Sequence, residues 1–275
     1  MSQIVRLISS DGIGFLGNVN QFLYLYKDFF QAGFFDGVEM IAFAPLSRRQ
    51  NFINTLEKHN IKVISFHGRT GGEKDLRLSG RLIMTIVNQL ILSAEDLVKN
   101  FSDFEFLFHA PYLQDKKVFD FIVKNKNKIK KIWVENHLDG IEGVKKMQEI
   151  VIQLQKNQVT ASGLIDIYHV VSKLSTDEIV LSWEKIVNEI ASNLSFVDGI
   201  HLPIGTRLDD SIPIDFLTDK QLNYFYQKIV LKVRRVVLEN QQKNLGLLYS
   251  TAKMLEKQRE RNEKVFLRLR KVGII

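Results

Sequence analysis

A carboxylate sits inside an apolar run at Ala161-Ser162-Gly163-Leu164-Ile165-Asp166-Ile167-Tyr168-His169-Val170, and a histidine follows it three residues later. An ionised Asp in apolar surroundings is costly unless it is paired or binds a metal, so Asp166 requires a cationic partner. The run is short, rich in Ile, Leu and Tyr, and has a glycine near its start, which reads as a buried strand. Side chains three apart on a strand point to opposite faces, so Asp166 and His169 converge only if the strand ends and the chain bends between them. Both are therefore expected at a strand's carboxyl end.

The same pattern recurs along the chain. Every histidine except His59 lies at or just beyond the end of an apolar run, and three carboxylates share that location. The candidates are His67, His109, Glu135, Asp166, His169, His201 and Glu239. Two of them echo each other, because Trp133-Val134-Glu135-Asn136 and Val237-Leu238-Glu239-Asn240 have the same apolar-apolar-Glu-Asn ending. A lone His after a strand is most often a loop or capping residue, and a lone Glu there usually faces solvent. Seven residues of metal-ligand type at equivalent positions of six successive units point instead to one shared metal site. Mixed carboxylate and imidazole ligands suit Zn, Mn, Co or Fe, with Mg less favoured by imidazole.

The elements that must position these residues alternate regularly. Strands are expected at Ile4 to Ile8, Val38 to Ala44, Lys62 to Phe66, Phe104 to Phe108, Lys131 to His137, the Asp166 run, Phe196 to Leu202 and Arg235 to Leu238. Helices are expected at Asn18 to Ala32, Arg48 to His59, Arg81 to Lys99, after Tyr112, at Ile141 to Lys156, from Ser175 to about Ser192, after Thr218, and from about Leu247. Ser175-Thr176-Asp177-Glu178 and Thr218-Asp219-Lys220-Gln221 read as capping boxes. Eight strands alternating with eight helices, at a period of about 30 to 35 residues, are the signature of a closed (β/α)₈ TIM barrel. A doubly wound open sheet is the runner-up, but it leaves unexplained the polar residues at the ends of so many strands. The 275 residues are read as one domain, 1–275.

Composition excludes several chemistries. With no Cys, there are no disulfides, thiolate nucleophiles or Cys-ligated zinc. No uninterrupted apolar window reaches 18 residues and the start lacks the apolar stretch of a secretory signal, so a cytoplasmic protein without membrane contact is expected. The net charge of +7 invites a nucleic-acid partner. Much of it lies at Lys116 to Lys131 and Lys253 to Lys271, where solvated helix faces account for it.

The most specific segments, Val134-Glu135-Asn136-His137, Asp166-Ile167-Tyr168-His169, His201-Leu202 and Leu238-Glu239-Asn240, resemble the xylose-isomerase-like TIM barrels. That group includes sugar isomerases and epimerases and the apurinic endonucleases of the endonuclease IV type (AP endonuclease family 2), and the resemblance spans the whole chain. It implies that Glu135, Asp166, His201 and Glu239 hold one divalent cation, Zn, Mn, Co or Mg. It also implies that Glu135 and Glu239 exchange a substrate proton, that Arg207 matches an Arg six positions after the metal His, and that His169 faces substrate.

Relative to the endonuclease branch, with its three zincs, the sequence departs twice. Ser211 stands where an Asp-x-His pair after the His201 strand needs its His, and His109-Ala110-Pro111-Tyr112-Leu113, which resembles that branch's DNA-facing loop, begins one strand late. His67 and His109 are left to form a second metal site with Glu135 or to contact substrate. The Gly-rich loop Gly68-Arg69-Thr70-Gly71-Gly72 could close over the mouth or hold a phosphate at Arg69.

The leading expectation is a metal-dependent isomerase or epimerase acting on a small sugar, sugar phosphate, polyol or keto acid through a metal-stabilised enediolate. Glu135, Glu239, His169 and Arg207 are its catalytic set. The alternatives are an abasic-site phosphodiesterase, with DNA as partner, and a barrel without catalytic activity. A homo-oligomer is compatible with all three.

Overall fold

Eight parallel strands close into a barrel in chain order, β1 (Val5–Ser9), β2 (Gly37–Ile41), β3 (Val63–His67), β4 (Phe104–His109), β5 (Ile129–Glu135), β6 (Ala161–Asp166), β7 (Val197–Pro203) and β8 (Arg235–Glu239), with β8 pairing back to β1. The computed structural model describes residues 4–10, 19–42, 46–68, 91–101, 104–137, 139–204, 212, 214–239 and 252–275. Arg69 and its loop, Arg207, Asp209 to Ser211, Asn240 and the first part of the helix expected from Arg81 lie outside those residues. Each strand starts within two residues of its expected position, β2 ends at Ile41 rather than at the expected Ala44, and the helices lie on the outside of a single (β/α)₈ barrel. No described helix is long and apolar enough to cross a membrane.

Closure buries both faces of every strand, which is why the strands read as near-continuous apolar runs. Outward-facing side chains pack under amphipathic helices such as α1 (Val19–Gln31), whose Phe22, Leu25, Tyr26 and Phe29 are buried. The expected helix at Ile141 to Lys156 is present over those residues. Both capping boxes are formed, at Ser175 with Glu178 and at Thr218 with Gln221. The helix expected from Ser175 to Ser192 is two helices, Thr176–Leu181 and Trp183–Ala191, which meet at Ser182. The break turns Trp183 inward, where its indole nitrogen donates to the Gln221 carbonyl at 3.0 Å.

Inward-facing residues stack along the barrel axis, as the two-residue period of a strand requires. Leu7, Leu107, Trp133, Leu164 and Val237 form an apolar cluster of their own, with Val5 and Ile64 against it. Below them the Trp133 ring is approached by Lys131, 3.7 Å from its centroid, and by Arg235, 4.4 Å from it, while its Nε1 donates to Glu105 at 2.8 Å. Toward the carboxyl ends the inward residues are the polar ones.

The register between β2 and β3 slips after Val38, so that Glu39 pairs with Ser65 and Ile64 is left over. Such a bulge re-aims side chains. Here Ile64 lies against Gly37, where a methyl group would fall 2.5 Å from Ile64 Cδ1 and 2.8 Å from the Lys62 carbonyl oxygen. Gly37→Ala is therefore expected to destabilise the fold by about 1 to 3 kcal/mol through overpacking. Urea denaturation should show a lower midpoint with an unchanged slope.

Candidate active site

The carboxyl ends of β2 to β8 bring one buried polar cluster to the barrel mouth: Glu39, His67, His109, Glu135, Asp166, His201 and Glu239, with His169 on the first turn after β6. All seven candidates named from the sequence are in it. Glu135 is the hub. Its Oε2 is 3.0 Å from His67 Nε2 and 3.1 Å from His109 Nε2, and its Oε1 is 3.3 Å from His201 Nδ1. The same His201 nitrogen is 3.3 Å from Glu239 Oε1.

Asp166 takes its place through the turn inferred from the sequence. It ends β6 and caps the helix Ile167–Val171, its Oδ1 accepting from the backbone nitrogens of Tyr168 at 2.7 Å and His169 at 3.4 Å. That leaves Oδ2 facing His169 Nε2 at 3.5 Å. Asn136 clamps the corner. Its side chain accepts from the Asp166 amide at 2.7 Å and donates to the Asp166 carbonyl at 3.2 Å. Its own carbonyl oxygen lies 2.7 Å from His169 Nδ1. A carbonyl can only accept, so Nδ1 of His169 carries the proton and Nε2 presents its lone pair to the mouth when the ring is neutral.

Two residues of this site escaped the sequence reading. The Asn136 clamp was visible only as part of a motif. Glu39 was not singled out, although a carboxylate within the apolar run from Val38 is the same signal that drew attention to Asp166. It is fully buried, with Oε1 2.8 Å from His201 Nε2 and Oε2 accepting from Ser65 Oγ at 3.0 Å.

The charges are strongly interdependent. Burial alone would raise Glu135, but the imidazoles of His109 and His201 hold it well below the usual carboxylate range. Glu239 is pushed well above that range by burial, which His201 only partly opposes, and by the neighbouring Asp166 and Glu135. Asp166 is raised to about 6, chiefly by burial. Burial disfavours a charged His67, yet Glu135 and Glu39 raise it to about 9. His201 is likewise raised well above its ordinary value against burial, by Glu39, Glu239 and Glu135. His109 is lowered by burial, which the attraction of Glu135 only partly offsets.

These residues fit a divalent cation. His109 Nε2 and both ring nitrogens of His201 are buried, face carboxylate oxygens and make no hydrogen bond of good geometry, and the same holds for Glu39 Oε1 beside His201 Nε2. Ligand atoms lie within 4.8 Å of one another in three overlapping groups: Glu39, His67, His201 and Glu239; His67, His109 and Glu135; and Glu135, Asp166 and His169. The four ligands expected from the sequence are linked rather than gathered into one such group. Glu135 and Glu239 meet at His201 Nδ1, and Asp166 joins through Glu135. His67 and His109 stand at the same mouth, both on Glu135.

In fold the chain is a (β/α)₈ TIM barrel, and solved structures of xylose-isomerase-like proteins share that fold. It is similar to the apo form of 3-keto-D-glucoside 4-epimerase from E. coli, with a TM-score of 0.55 and 9% sequence identity over 96% of this chain and 99% of that one. It is also similar to a xylose isomerase domain containing protein from Salmonella typhimurium LT2, with a TM-score of 0.52 and 14% identity over 95% and 97% of the two chains. At these identities the likeness is one of fold. No protein-family model matches the sequence, and neither does any curated protein.

The raised histidines give metal binding a signed pH dependence. A His67 at about 9, above an ordinary 6.5, stabilises the metal-free fold fully below about 6.5 and loses that contribution as pH rises toward about 9. A bound cation needs the imidazoles deprotonated, so its hold strengthens over the same range. The rise in Tm on adding Zn²⁺ to chelator-treated protein is thus expected to be larger at pH 8 than at pH 6. A hundredfold excess of free metal over Kd corresponds to about 2.7 kcal/mol.

Proposed function

We propose that this chain is a divalent-metal-dependent isomerase or epimerase of a small sugar or a related keto-polyol. The observation that carries this reading is the meeting of Glu135 and Glu239, from different strands, at His201 Nδ1, each at 3.3 Å. Two buried carboxyl groups facing one position are suited to remove a proton and return it.

Glu135, Asp166, His201 and Glu239 would hold the cation. When bound it supplies a Lewis acid next to the substrate's carbonyl and hydroxyl oxygens, which acidifies the adjacent C–H. Glu135 and Glu239 then remove a proton from carbon and return one, each reached from a different strand. The His169 Nε2 lone pair, fixed by the Asn136 carbonyl on the opposite nitrogen, accepts a substrate hydroxyl. Arg207 is assigned to the same substrate's oxygens. The closed, water-poor floor of the barrel strengthens each of these electrostatic interactions.

A second reading is favoured by a specific observation. His67 Nε2 and His109 Nε2 converge on Glu135 Oε2 at 3.0 and 3.1 Å, which suits a second cation sharing Glu135. Two cations close together serve hydrolysis of phosphodiesters, and the chain's net charge of +7 suits a DNA substrate. The two readings differ in cation count and in product.

Elemental analysis of protein purified without chelator is expected to return one divalent cation per chain. Solvent deuterium should enter the substrate carbon, followed by NMR in D₂O over a panel of ketoses and keto acids. Glu239→Gln should keep the fold and slow exchange by about 10² to 10⁴-fold, because an amide takes no proton from carbon near neutral pH. Two or more cations, no exchange, and chelator-sensitive nicking of abasic DNA would establish the hydrolase instead. Protein that takes up no cation would be a barrel without this chemistry.

A further inference from the structure

The four ligands expected from the sequence do not form one close group, but a different set of four does. Glu39, His67, His201 and Glu239, on β2, β3, β7 and β8, each place a ligand atom within 4.8 Å of the others, and all four residues are buried. Glu39 Oε2 is held from behind, accepting from Ser65 Oγ at 3.0 Å and lying 4.0 Å from Arg235 Nη1. Ser65 stands opposite Glu39 because the register slips at Ile64. Oε1 is left facing His201 Nε2 at 2.8 Å, yet neither atom makes a hydrogen bond. His67 Nδ1 is a third buried atom without a hydrogen-bond partner.

Ligands held about 2.0 to 2.2 Å from one cation stand about 3 to 4 Å from each other. A carboxylate oxygen and an imidazole nitrogen that approach closely without a hydrogen bond are placed as neighbouring ligands are. The two carboxylates of the set also balance a divalent charge that burial alone would make costly. We propose that Glu39, His67, His201 and Glu239 form a second seat for a divalent cation such as zinc. The inference rests on the reading that this mouth binds a cation, and it adds a position in which Glu135 and Asp166 take no part. His201 and Glu239 belong to both seats. A neutral imidazole offers one lone pair, so His201 serves one cation at a time and a single cation fills one seat or the other. Passing between them exchanges Glu135 and Asp166 for Glu39 and His67.

The seats differ in imidazole count, with His67 and His201 in this one and His201 alone in the other. The test uses one equivalent of Zn²⁺ and the full chain, with the fold of each variant checked by circular dichroism. Asp166→Asn weakens the other seat while keeping an oxygen for the helix cap. X-ray absorption at the zinc edge is expected to find two imidazoles on the metal in this variant. Adding Glu39→Gln should then weaken zinc by more than about 10-fold in competition with a chromophoric chelator, since loss of a mere outer partner already costs that much. Zinc lost altogether from Asp166→Asn, zinc held there by one imidazole, or an affinity indifferent to the added Glu39→Gln would overturn the proposal and leave the cation reading standing. Wild type that takes up no zinc would overturn that reading, and the proposal with it. Should Asp166→Asn fail to fold, Glu39→Gln alone decides: the imidazole count should fall from the wild type to the variant, and an equal count overturns the proposal.

Discussion

A carboxylate that faces the inside of a closed eight-stranded barrel has almost no water to solvate it, so it persists only where cationic groups are packed around it. Four such carboxylates, Glu39, Glu135, Asp166 and Glu239, sit at or just below the mouth of this barrel, each within reach of an imidazole or another acid. Their mutual neutralisation governs the arrangement of the site. Glu135 is the case where the cations win, drawing His67, His109 and His201 onto its two oxygens. Glu239 is the case where burial and neighbouring acids win.

The compensation continues downward through the interior. His201 faces Glu39, Glu39 faces Ser65 and Arg235, Arg235 pairs with Glu105, and Glu105 accepts from the Trp133 indole. Around this polar column lie Leu7, Leu107, Leu164 and Val237, which exclude water and keep the column's effective dielectric low. The layers of the barrel are coupled in this way. The apolar layer raises the cost of any unpaired charge, and the polar column satisfies it without solvent. Backbone groups complete the positioning, since Asp166 caps the helix after β6 with one oxygen and turns the other to His169, while Asn136 secures both from the neighbouring strand.

The shared barrel specifies where chemistry can occur, because all eight strands present their carboxyl ends to one mouth. It does not specify which chemistry. In this chain the choice is narrowed by the crowding at Glu135, whose two oxygens serve different partners. A single cation on Glu135 and His201 leaves His67 and His109 free to meet a substrate, whereas a second cation on Oε2 engages them both. Under the proposed readings, the number of cations held at Glu135 would separate proton transfer from hydrolysis.

Much of this was legible in the sequence, for local reasons. The alternation of apolar runs with helical patterns determined the barrel, the capping boxes at Ser175 and Thr218 determined where two helices start, and histidines and carboxylates at strand ends determined which mouth holds the site. These are signals within a few residues of chain. What only the tertiary structure decided is which atom meets which. Glu39 and His201 are far apart in sequence and adjacent in space, the Ile64 bulge sets Ser65 against Glu39, and Ser182 divides a helix that reads as continuous. Glu135 becomes the hub because strand tilt and register on closure carry His67, His109 and His201 to its two oxygens. Register is a property of pairs of strands, and closure is a property of all eight, so neither is written in the period of any one segment.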